Sequence, residues 1–232
     1  MTADARDFHR GKVVVGPRAE WSAVFEGNPR ILKKPEPGCE VVDNYTGHRP
    51  YIKEIRDRRT VFSDYKARPG EIFLTFREKH WAGRVCPPDF ILVEPHTKGT
   101  VYADNKQWPF ERYQEVVRSV KATWVQVGPK KTLKGVKFIH TPTFRDACAI
   151  LDRAKLFLGG EGGLHHAAAA LGKKAVVIFG GCANPKVTGY DTHINLSYGE
   201  PCGSLYSCPH CKDAMAHIKV GGVVEAIYEE SR

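Results

Sequence analysis

The amino-acid sequence predicts an α/β protein with a parallel β-sheet that helices cover on both faces. Strand-like apolar runs alternate with helix-like segments, and this alternation is clearest after residue 87. Such alternation is typical of βαβ units, whose crossover helices lie on the two faces of a parallel sheet. The chain has 232 residues, which is enough for one large domain or two small ones.

Runs rich in β-branched and aromatic residues mark the predicted strands. They cover residues 12–16, 60–65, 71–76, 90–95, 123–128, 136–140, 156–160 and 175–181, and residues 193–197 are also strand-like. The run at 90–95 is almost wholly apolar, as expected for a strand that is buried on both faces.

The predicted helices are amphipathic or are bounded by recognisable start and stop residues. They cover residues 18–28, 109–121, 143–155, 164–172 and 221–232. Pro109 suits the first turn of its helix, Thr143 begins the next helix, and Gly172 ends the alanine-rich one. Residues 33–59 give no assignable element, and the Pro87-Pro88 pair predicts a linker over residues 83–90.

Composition and charge restrict the class of protein. Hydrophobic residues make up 42% of the chain and charged residues 26%, so an ordinary globular core is expected. No apolar run approaches the roughly 20 residues that span a bilayer, and the first residues do not resemble a signal peptide, which predicts a cytoplasmic protein. The net charge of +9 favours an anionic partner such as nucleotide phosphate, nucleic acid or acidic glycolipid, although a solvated basic surface explains it equally well.

A glycine-rich segment between two predicted strands is the strongest functional signal. Four glycines surround Glu161 at the end of strand 156–160, and a helix over residues 163–171 follows. Ligands of doubly wound sheets bind beyond the carboxyl ends of the strands, where a helix N-terminus favours an anion. Glu161 fits there as an acceptor for sugar or ribose hydroxyls. A plain glycine-rich turn before a small-residue helix, with both histidines merely packed, is the competing interpretation. Neither a dinucleotide-binding G-x-G-x-x-G motif nor a P-loop occurs in the chain.

The segment "FLGGEGGLHHAAAALGKKAVVIFGGCANP" resembles the donor-site signature of the ADP-heptose–lipopolysaccharide heptosyltransferase family. That signature reads D-[ST]-G-x-x-H-x-x-A-A-L-G. Glu161 stands at the family's Asp position, Gly162 at its Ser/Thr, Gly163 at its Gly and His166 at its His.

Two further segments resemble the same family in the same order. "VEPHTKGTVYADNKQWPFERYQEVV" resembles the strand, phosphate loop and K-x-W-P-x-x-x-[FWY] segment of its C-terminal domain, with Lys106 at the donor-phosphate lysine. "CGSLYSCPHCKDAMAHIKVGGVVEAI" resembles the cysteine-rich tail and terminal helix that many members carry. The resemblance covers roughly residue 90 to the C-terminus.

The resemblance implies a GT-B-like fold of two Rossmann-like α/β domains, of which the N-terminal one is truncated here. Residues 1–86 are then an abbreviated acceptor-side domain with a small sheet of three or four strands, and residues 87–232 the nucleotide-sugar (donor) domain. Residues 11–31 resemble the family's second strand–helix unit, so the first unit and its catalytic-base Asp have no counterpart. The family's ribose-binding acidic residue after strand 123–128 is also missing.

The activity that the resemblance implies is metal-independent transfer of a sugar, with inversion, from a nucleotide-diphosphate sugar to an acceptor hydroxyl. Without a metal, cationic side chains and a helix N-terminus must stabilise the leaving diphosphate. Glu161 and His166 are the expected catalytic residues. Donor binding is assigned to the following residues: Thr97, Lys98, Thr100, Lys106, Gly162, Gly163 and His165. The general base stays open among His165, His166, Glu20 and Asp64.

The expected acceptor is anionic, either a glycolipid or a nucleic acid. Three alternatives remain at this stage: a glycosyltransferase that acts on a nucleic-acid base, a nucleotide-sugar-binding protein without catalysis, and a zinc-ribbon-like nucleic-acid module in the tail. No cofactor is expected for catalysis.

The tail contains a cysteine group that suits a metal. Cys208-x-x-Cys211 has a turn spacing that favours thiolate ligation of zinc, and Cys202 lies six residues earlier. Structural Zn²⁺ on Cys202, Cys208 and Cys211 is therefore a hypothesis, with His210, His217 or Cys182 as the fourth ligand. Reduced thiols or a disulfide are the alternatives.

Overall fold

The computed structural model describes residues 13–15, 21–42, 49–97 and 103–231. Three sheets and seven α-helices form within these ranges. The strands are β1 (Val13–Val15), β2 (Ile31–Leu32), β3 (Glu40–Val42), β4 (Ile52–Arg56), β5 (Arg59–Phe62), β6 (Phe90–Glu94), β7 (Thr123–Gln126), β8 (Lys137–Phe138), β9 (Leu156–Gly160), β10 (Ala175–Gly180) and β11 (His193–Ser197). The α-helices are α1 (Phe76–Val85), α2 (Phe110–Ser119), α3 (Phe144–Arg153), α4 (Gly163–Ala170), α5 (Pro185–Thr188), α6 (Pro209–His217) and α7 (Val220–Glu230).

The larger sheet is parallel throughout and has the order β11-β10-β9-β6-β7-β8. When β6 to β11 are renumbered 1 to 6, this order is 6-5-4-1-2-3. It is the strand order 3-2-1-4-5-6 of a Rossmann fold, written from the other edge of the sheet. The predicted parallel α/β architecture is thus confirmed. In the register of the two central strands, Val93 pairs with Leu158 and Glu94 with Gly159.

The sheet has an apolar core on each face because alternate residues of every strand point to opposite sides. In β6, Phe90 and Leu92 join the core under α1, α3 and α4, whereas Ile91 and Val93 join the core under α2 and α7. All four side chains are buried. This two-sided burial explains why the strand reads as a continuous apolar run.

The N-terminal part contains a small parallel sheet with the order β2-β1-β3, and β4 and β5 form an antiparallel hairpin. The expected small sheet is therefore present with three strands, and β1 pairs with β2 and β3 rather than with the larger sheet. Residues 72–86, which were assigned to the N-terminal domain, pack against the core under α1 and α3. The boundary between residues 86 and 87 stays a prediction.

Arg145 of α3 joins the N-terminal segments to the larger sheet. Its guanidinium makes two bonds to the Glu78 carboxylate of α1, at 2.5 and 2.8 Å, and donates to the carbonyls of Ala23 (3.0 Å) and Phe73 (2.7 Å). The hydrogen bonds from Arg145 outweigh the opposing effect of burial and lower the pKa of Glu78 to about 2. Helices α1 and α3 and the segments around Ala23 and Phe73 thus meet at the buried Arg145 guanidinium.

Three sequence predictions were wrong in the described residues. The helix expected over 18–28 is a single 3-10 turn at Ala23–Phe25. Residues 71–76 form no strand, because this extended segment packs Ile72 and Leu74 against the core without pairing. The linker expected over 83–90 begins later, since α1 continues to Val85.

The helix signals in the second half of the chain were predicted correctly. Thr143 caps α3 in a reciprocal capping box with Asp146, Pro109 precedes α2, and Gly172 follows α4 with a φ of 66°. Helices α1, α5 and α6 and strands β2, β3 and β4 were not predicted. Within the described ranges, none of the helices combines the length and the apolar character that crossing a lipid bilayer requires.

Candidate functional site

The candidate site lies where the order of the larger sheet reverses. Strands β6 and β9 are neighbours at the centre of the sheet. The chain continues from β6 to β7 on one side and from β9 to β10 on the other side, so the loops that follow β6 and β9 diverge. A crevice opens at such a switch point, outside the carboxyl ends of the strands. The loop after β6 contributes Lys106, and the loop after β9 contributes Glu161.

Lys106 and Glu161 form an ion pair in this crevice, with Nζ 2.5 Å from Oε2. The Glu161 side chain is 8% exposed and that of Lys106 is 21% exposed. Burial alone would raise the pKa of Glu161, but the charge of Lys106 and the hydrogen bond from His166 hold it below its usual range. Burial opposes the charge of Lys106 as well, yet Glu161 raises the pKa of this ammonium overall. Both groups are therefore ionised.

His166 lies beside the pair on the first turn of α4. Its Nε2 is 3.7 Å from Glu161 Oε1, and its Nδ1 is 2.8 Å from the Tyr190 hydroxyl. The tautomer decides whether Nδ1 donates to the Tyr190 oxygen or accepts from the Tyr190 hydroxyl, and either arrangement holds the ring in this position. Tyr190 thereby fixes the orientation of the imidazole.

His165 points away from the crevice. It is fully buried and contacts the rings of His166, Phe179, Tyr190 and His193. Neither ring nitrogen has a hydrogen-bond partner among the described residues, and burial lowers its pKa well below the ordinary value. His165 is therefore neutral. One of its ring nitrogens lies within 4.8 Å of a Glu161 carboxylate oxygen and of a His166 ring nitrogen, but His165 does not line the cavity in the crevice.

A cavity of about 440 Å³ surrounds the ion pair. The lining from the C-terminal part consists of Lys106, Phe144, Glu161, Gly162, Gly163, His166, Ala167, Ala170 and Tyr190. The lining from the N-terminal part consists of Ser22, Val24, Phe25, Ile31, Arg49, Tyr51, Arg68, Gly70, Glu71 and Ile72. The cavity thus lies between the two parts of the chain. Five residues from the sequence assignment meet in it: Lys106, Glu161, Gly162, Gly163 and His166.

The N-terminus of α4 opens into this cavity. No side chain caps the helix, because its N-cap residue is Gly162, and a Cβ there would meet open space. The first backbone N–H groups of a helix have no partner within it, so they are available to an anion. At Gly163 a Cβ would lie 3.1 Å from the Phe144 ring, a tight contact that the partly exposed ring would have to relieve by a small shift.

The remaining assigned residues of the loop after β6 lie outside the cavity or outside the described part of the chain. The Thr97 backbone N–H and hydroxyl each bond the Gln107 carboxamide oxygen at 3.2 Å. Gln107 in turn donates to the Pro95 carbonyl at 2.8 Å. This network holds the loop beside Lys106. Lys98 and Thr100 fall outside the described residues.

Of the two carboxylates considered from the sequence as a base, Asp64 is exposed and does not line the cavity, and Glu20 falls outside the described residues. Sequence reasoning missed a different carboxylate, Glu71, which lines the cavity and pairs with Arg30. It also missed Tyr190, whose position in a turn between α5 and β11 gave no periodic signal.

The tail cysteines lie together, as predicted. One ligand atom from each of Cys202, Cys208, His210 and Cys211 lies within 4.8 Å of the others, and the two sulfurs of Cys202 and Cys211 are 3.2 Å apart. Cys182 belongs to the same group of cysteines. A hydrogen bond from the Cys211 thiol lowers the pKa of Cys182, and the pKa of Cys211 rises correspondingly.

This cysteine cluster fits a metal that prefers sulfur. Tetrahedral zinc with Zn–S bonds of about 2.3 Å places its sulfurs about 3.8 Å apart. Distances below 4.8 Å need only small adjustments to reach that geometry. His210 is placed to complete the set, whereas Cys182 packs beside these cysteines without belonging to the group of mutually close ligand atoms. His217 bonds the Asp213 carbonyl and stacks on Tyr198.

No protein-family model and no curated protein matches this chain. Among solved structures, it is similar to the ADP-heptose LPS heptosyltransferase II of E. coli, with a TM-score of 0.52 and 18% identity over 69% of this chain and 53% of that one. It is similar to a glycosyltransferase of family 9 from Veillonella parvula DSM 2008, with a TM-score of 0.55 and 13% identity over 73% and 56% of the two chains. The bacterial iron-containing dodecameric glycosyltransferase TibC from enterotoxigenic E. coli H10407 gives a TM-score of 0.55 and 14% identity over 71% and 49%.

These similarities concern the fold. The chain spans about half the length of the structures that it resembles. The fold of this chain is therefore GT-B-like α/β, similar to that of the heptosyltransferase and family 9 glycosyltransferase structures over about half of their length.

Proposed function

We propose that this chain is a metal-independent glycosyltransferase that transfers a sugar from a nucleotide-diphosphate sugar to an acceptor hydroxyl. The observation that carries the proposal is the Lys106–Glu161 ion pair at the switch point, next to the uncapped N-terminus of α4. A cation and a helix N-terminus suit a diphosphate, and a neighbouring carboxylate suits sugar hydroxyls. The fold similarity to glycosyltransferases supports the same conclusion.

Donor binding rearranges the ion pair in this proposal. The diphosphate accepts hydrogen bonds from Lys106 and from the first N–H groups of α4, which draws Lys106 away from Glu161. The freed Glu161 carboxylate then accepts from hydroxyls of the sugar. Gly162 and Gly163 let the donor approach the backbone. Thr97, Lys98 and Thr100, which follow β6 in the sequence, are assigned to the phosphates, and His165 supports α4 from behind.

The proposed reaction is a displacement at the anomeric carbon. The acceptor oxygen forms a bond to that carbon, the bond from the carbon to the phosphate oxygen breaks, and its electron pair leaves with the nucleoside diphosphate. The proton of the acceptor hydroxyl passes to a base, for which we assign Nε2 of the His166 imidazole, which lines the cavity; the other ring nitrogen, Nδ1, then carries the ring proton and donates it to the Tyr190 hydroxyl oxygen. Tyr190 keeps the imidazole in place. Lys106 stabilises the charge that develops on the diphosphate.

The N-terminal wall of the cavity is assigned to the acceptor. Arg49 and Arg68 line it, which favours an acceptor that carries negative charge. This assignment agrees with a division into an acceptor side over residues 1–86 and a donor side over residues 87–232. In the tail, structural Zn²⁺ on Cys202, Cys208 and Cys211 completes the proposal.

A nucleotide-sugar-binding protein without catalysis is the second candidate. It is favoured by one observation: the two carboxylates that line the described cavity are both ion-paired, Glu71 with Arg30 and Glu161 with Lys106. A cationic partner makes a carboxylate a weaker base. The two candidates share the donor site and differ only in turnover.

A panel of nucleotide sugars in a thermal-shift assay tests the shared donor site, and incubation with the stabilising donor then separates the two candidates. A ligand present at one hundred times its Kd stabilises the protein by about 2.7 kcal/mol, which shifts the melting temperature measurably. Release of nucleoside diphosphate on addition of an acceptor supports the transferase. Stabilisation without any release supports the binding protein, and a panel without any stabilising member contradicts both.

A further inference from the structure

Asn105, the neighbour of Lys106, is held by the cysteine-rich tail. It is 1% exposed and makes three hydrogen bonds. Its carboxamide nitrogen donates to the carbonyls of Ser204 (3.3 Å) and Tyr206 (2.7 Å), and its oxygen accepts from the Cys208 backbone N–H at 2.9 Å. All three bonds cross about a hundred positions of sequence to reach one short segment. Both the nitrogen and the oxygen of the Asn105 carboxamide are therefore hydrogen-bonded to the tail.

That segment, residues 202–208, is bounded by two members of the cysteine cluster. Its first backbone bonds run from the Cys202 N–H to the Gly181 carbonyl at 2.9 Å and from the Gly203 N–H to the Cys182 carbonyl at 3.0 Å. The Cys202 and Cys211 sulfurs lie 3.2 Å apart. The shape of the segment thus depends on how the sulfurs are arranged. An ion on the cluster would fix that arrangement, since metal–thiolate bonds impose both distance and angle.

Asn105 and Lys106 share one tight backbone turn. They are the last two residues of the 3-10 turn Ala103–Lys106, so a shift of Asn105 displaces the backbone of Lys106. On the other side, Gln107 is fixed by bonds to the Pro95 and Trp108 carbonyls. Lys106 therefore lies between two residues whose side chains are held by hydrogen bonds. Gln107 is bonded within the loop after β6, and Asn105 is bonded to the tail.

The same segment also supports the opposite wall of the cavity. The Thr60 N–H donates to the Gly203 carbonyl at 2.7 Å, and the Leu205 N–H donates to the Arg58 carbonyl at 3.0 Å. These bonds fasten the β4–β5 hairpin, whose first strand begins directly after Tyr51 of the cavity lining. Residues 202–208 thus touch both the turn that carries Lys106 and the hairpin that leads to Tyr51.

We propose that Asn105 is a positioning residue that couples the cysteine cluster to the donor site. A thiophilic ion such as Zn²⁺ or Fe²⁺, bound by the cluster, fixes residues 202–208, and Asn105 transmits that order to Lys106. Nucleotide-diphosphate binding is then tighter with the ion than without it. The proposal rests on the donor site described under Proposed function. It makes the cluster part of donor recognition rather than a remote structural unit.

Linkage makes this coupling measurable from both sides. If the ion raises the affinity for a nucleotide by some factor, the nucleotide must raise the affinity for the ion by the same factor. We expect a factor of about ten in the wild-type protein, which is within the range that is usual for coupled sites. ADP and UDP are the nucleotide probes, measured by calorimetry on Zn²⁺-loaded, Fe²⁺-loaded and chelator-treated protein. Competition with a metal indicator, with and without nucleotide, gives the reverse measurement.

Asn105→Ala tests the route. The variant should bind one ion per chain as the wild type does, and its Zn²⁺-loaded form should bind ADP or UDP about tenfold more weakly. Its two coupling factors should fall to about one. Gln114→Ala is the matched control, because Gln114 also holds a loop backbone through its carboxamide, at Lys134, without contacting the tail. The control should keep the wild-type coupling. If Asn105→Ala does not fold, Asn105→Ser takes its place, and the reciprocal measurement on wild type needs no variant.

Three outcomes would overturn the inference. Equal nucleotide affinity in metal-loaded and metal-free wild type would exclude the coupling while leaving the donor site intact. Full coupling in the Asn105 variants would exclude this route. A wild type that binds neither nucleotide nor nucleotide sugar in any form would instead remove the proposed function, and the inference with it.

Discussion

Lys106 and Glu161 lie 2.5 Å apart although they come from loops after two different strands, on opposite sides of the point where the sheet order reverses. In the proposed donor site, a diphosphate would compete with Glu161 for the Lys106 ammonium group.

Lys106→Ala should weaken the binding of nucleoside diphosphates about ten- to a hundredfold. The substitution removes a charge-assisted contact, worth about 1.5–3 kcal/mol. Calorimetry with the nucleotide found in the thermal-shift panel measures the change. Lys121→Ala is the control, because Lys121 is exposed and precedes β7 at the opposite edge of the sheet. Equal affinity in wild type and Lys106→Ala would place the donor site elsewhere.

Glu161→Gln should change the affinity for the nucleotide sugar and the affinity for the free nucleoside diphosphate differently. Binding of the nucleotide sugar should weaken, since the neutral amide is a poorer acceptor for hydroxyls. Binding of the free nucleoside diphosphate should stay equal or tighten, because Lys106 no longer has a carboxylate partner. The ratio of the two dissociation constants is the measurement. A parallel loss for both ligands would contradict the role of Glu161 at the sugar.

Breaking the ion pair from one side should cost more stability than removing both charges. Lys106→Met leaves Glu161 buried and unpaired, for which losses of about 3–5 kcal/mol are usual in fully buried pairs. The lower end is expected here because Lys106 keeps 21% of its side chain exposed. Denaturant unfolding should show that Lys106→Met combined with Glu161→Gln is more stable than Lys106→Met alone. A double variant as unstable as the sum of the single losses would contradict the pair.

Acid should remove a specific contribution of Glu78 to stability. Arg145 lowers the pKa of Glu78 from 4.5 to about 2, so the folded state binds this proton less readily than the unfolded state. The stabilisation is complete above about pH 4.5 and is lost as the pH falls towards 2. The melting-temperature difference between wild type and Glu78→Gln should therefore shrink over that window. Glu225→Gln, at an exposed position of α7, is the control variant for the removal of one carboxylate charge.

Cys208→Ser should reduce the metal content of purified protein below that of wild type and lower its melting temperature. Elemental analysis after purification without chelators gives the first value, and calorimetry the second. Cys39→Ser serves as the control, because Cys39 lies outside the cysteine cluster. Unchanged metal content in Cys208→Ser would leave the cluster as reduced thiols.

The sequence was enough to predict that Lys106 and Glu161 lie close together, because it was enough to predict where the strands before them end. The apolar runs of β6 and β9 fix where each strand stops, and in a parallel sheet both stops lie on one edge. Lys106 and Glu161 follow those stops, so their meeting needed no side-chain information. Their direct pairing was not predicted, because the sequence analysis placed a diphosphate between them.

The failures of sequence analysis share a physical origin. Residues 71–76 have the composition of a strand, yet they find no pairing partner and become an extended cover for α1 and α3. A helix start signal, Thr75 with Glu78 three residues later, was present in the same stretch and was overlooked. Arg49, Arg68 and Tyr190 reach the cavity from irregular segments, where periodicity carries no information about direction.

The central position of β6 also matters while the chain is being made. A nascent chain can pair β6 with β7 after a single helix, but β9 emerges only after β7, β8 and α3 have left the ribosome. Until then, one long edge of a strongly apolar strand has no partner, and such an edge is a template for association with other chains. The strand beside which the candidate site forms in the finished protein is thus exposed to misassembly during synthesis.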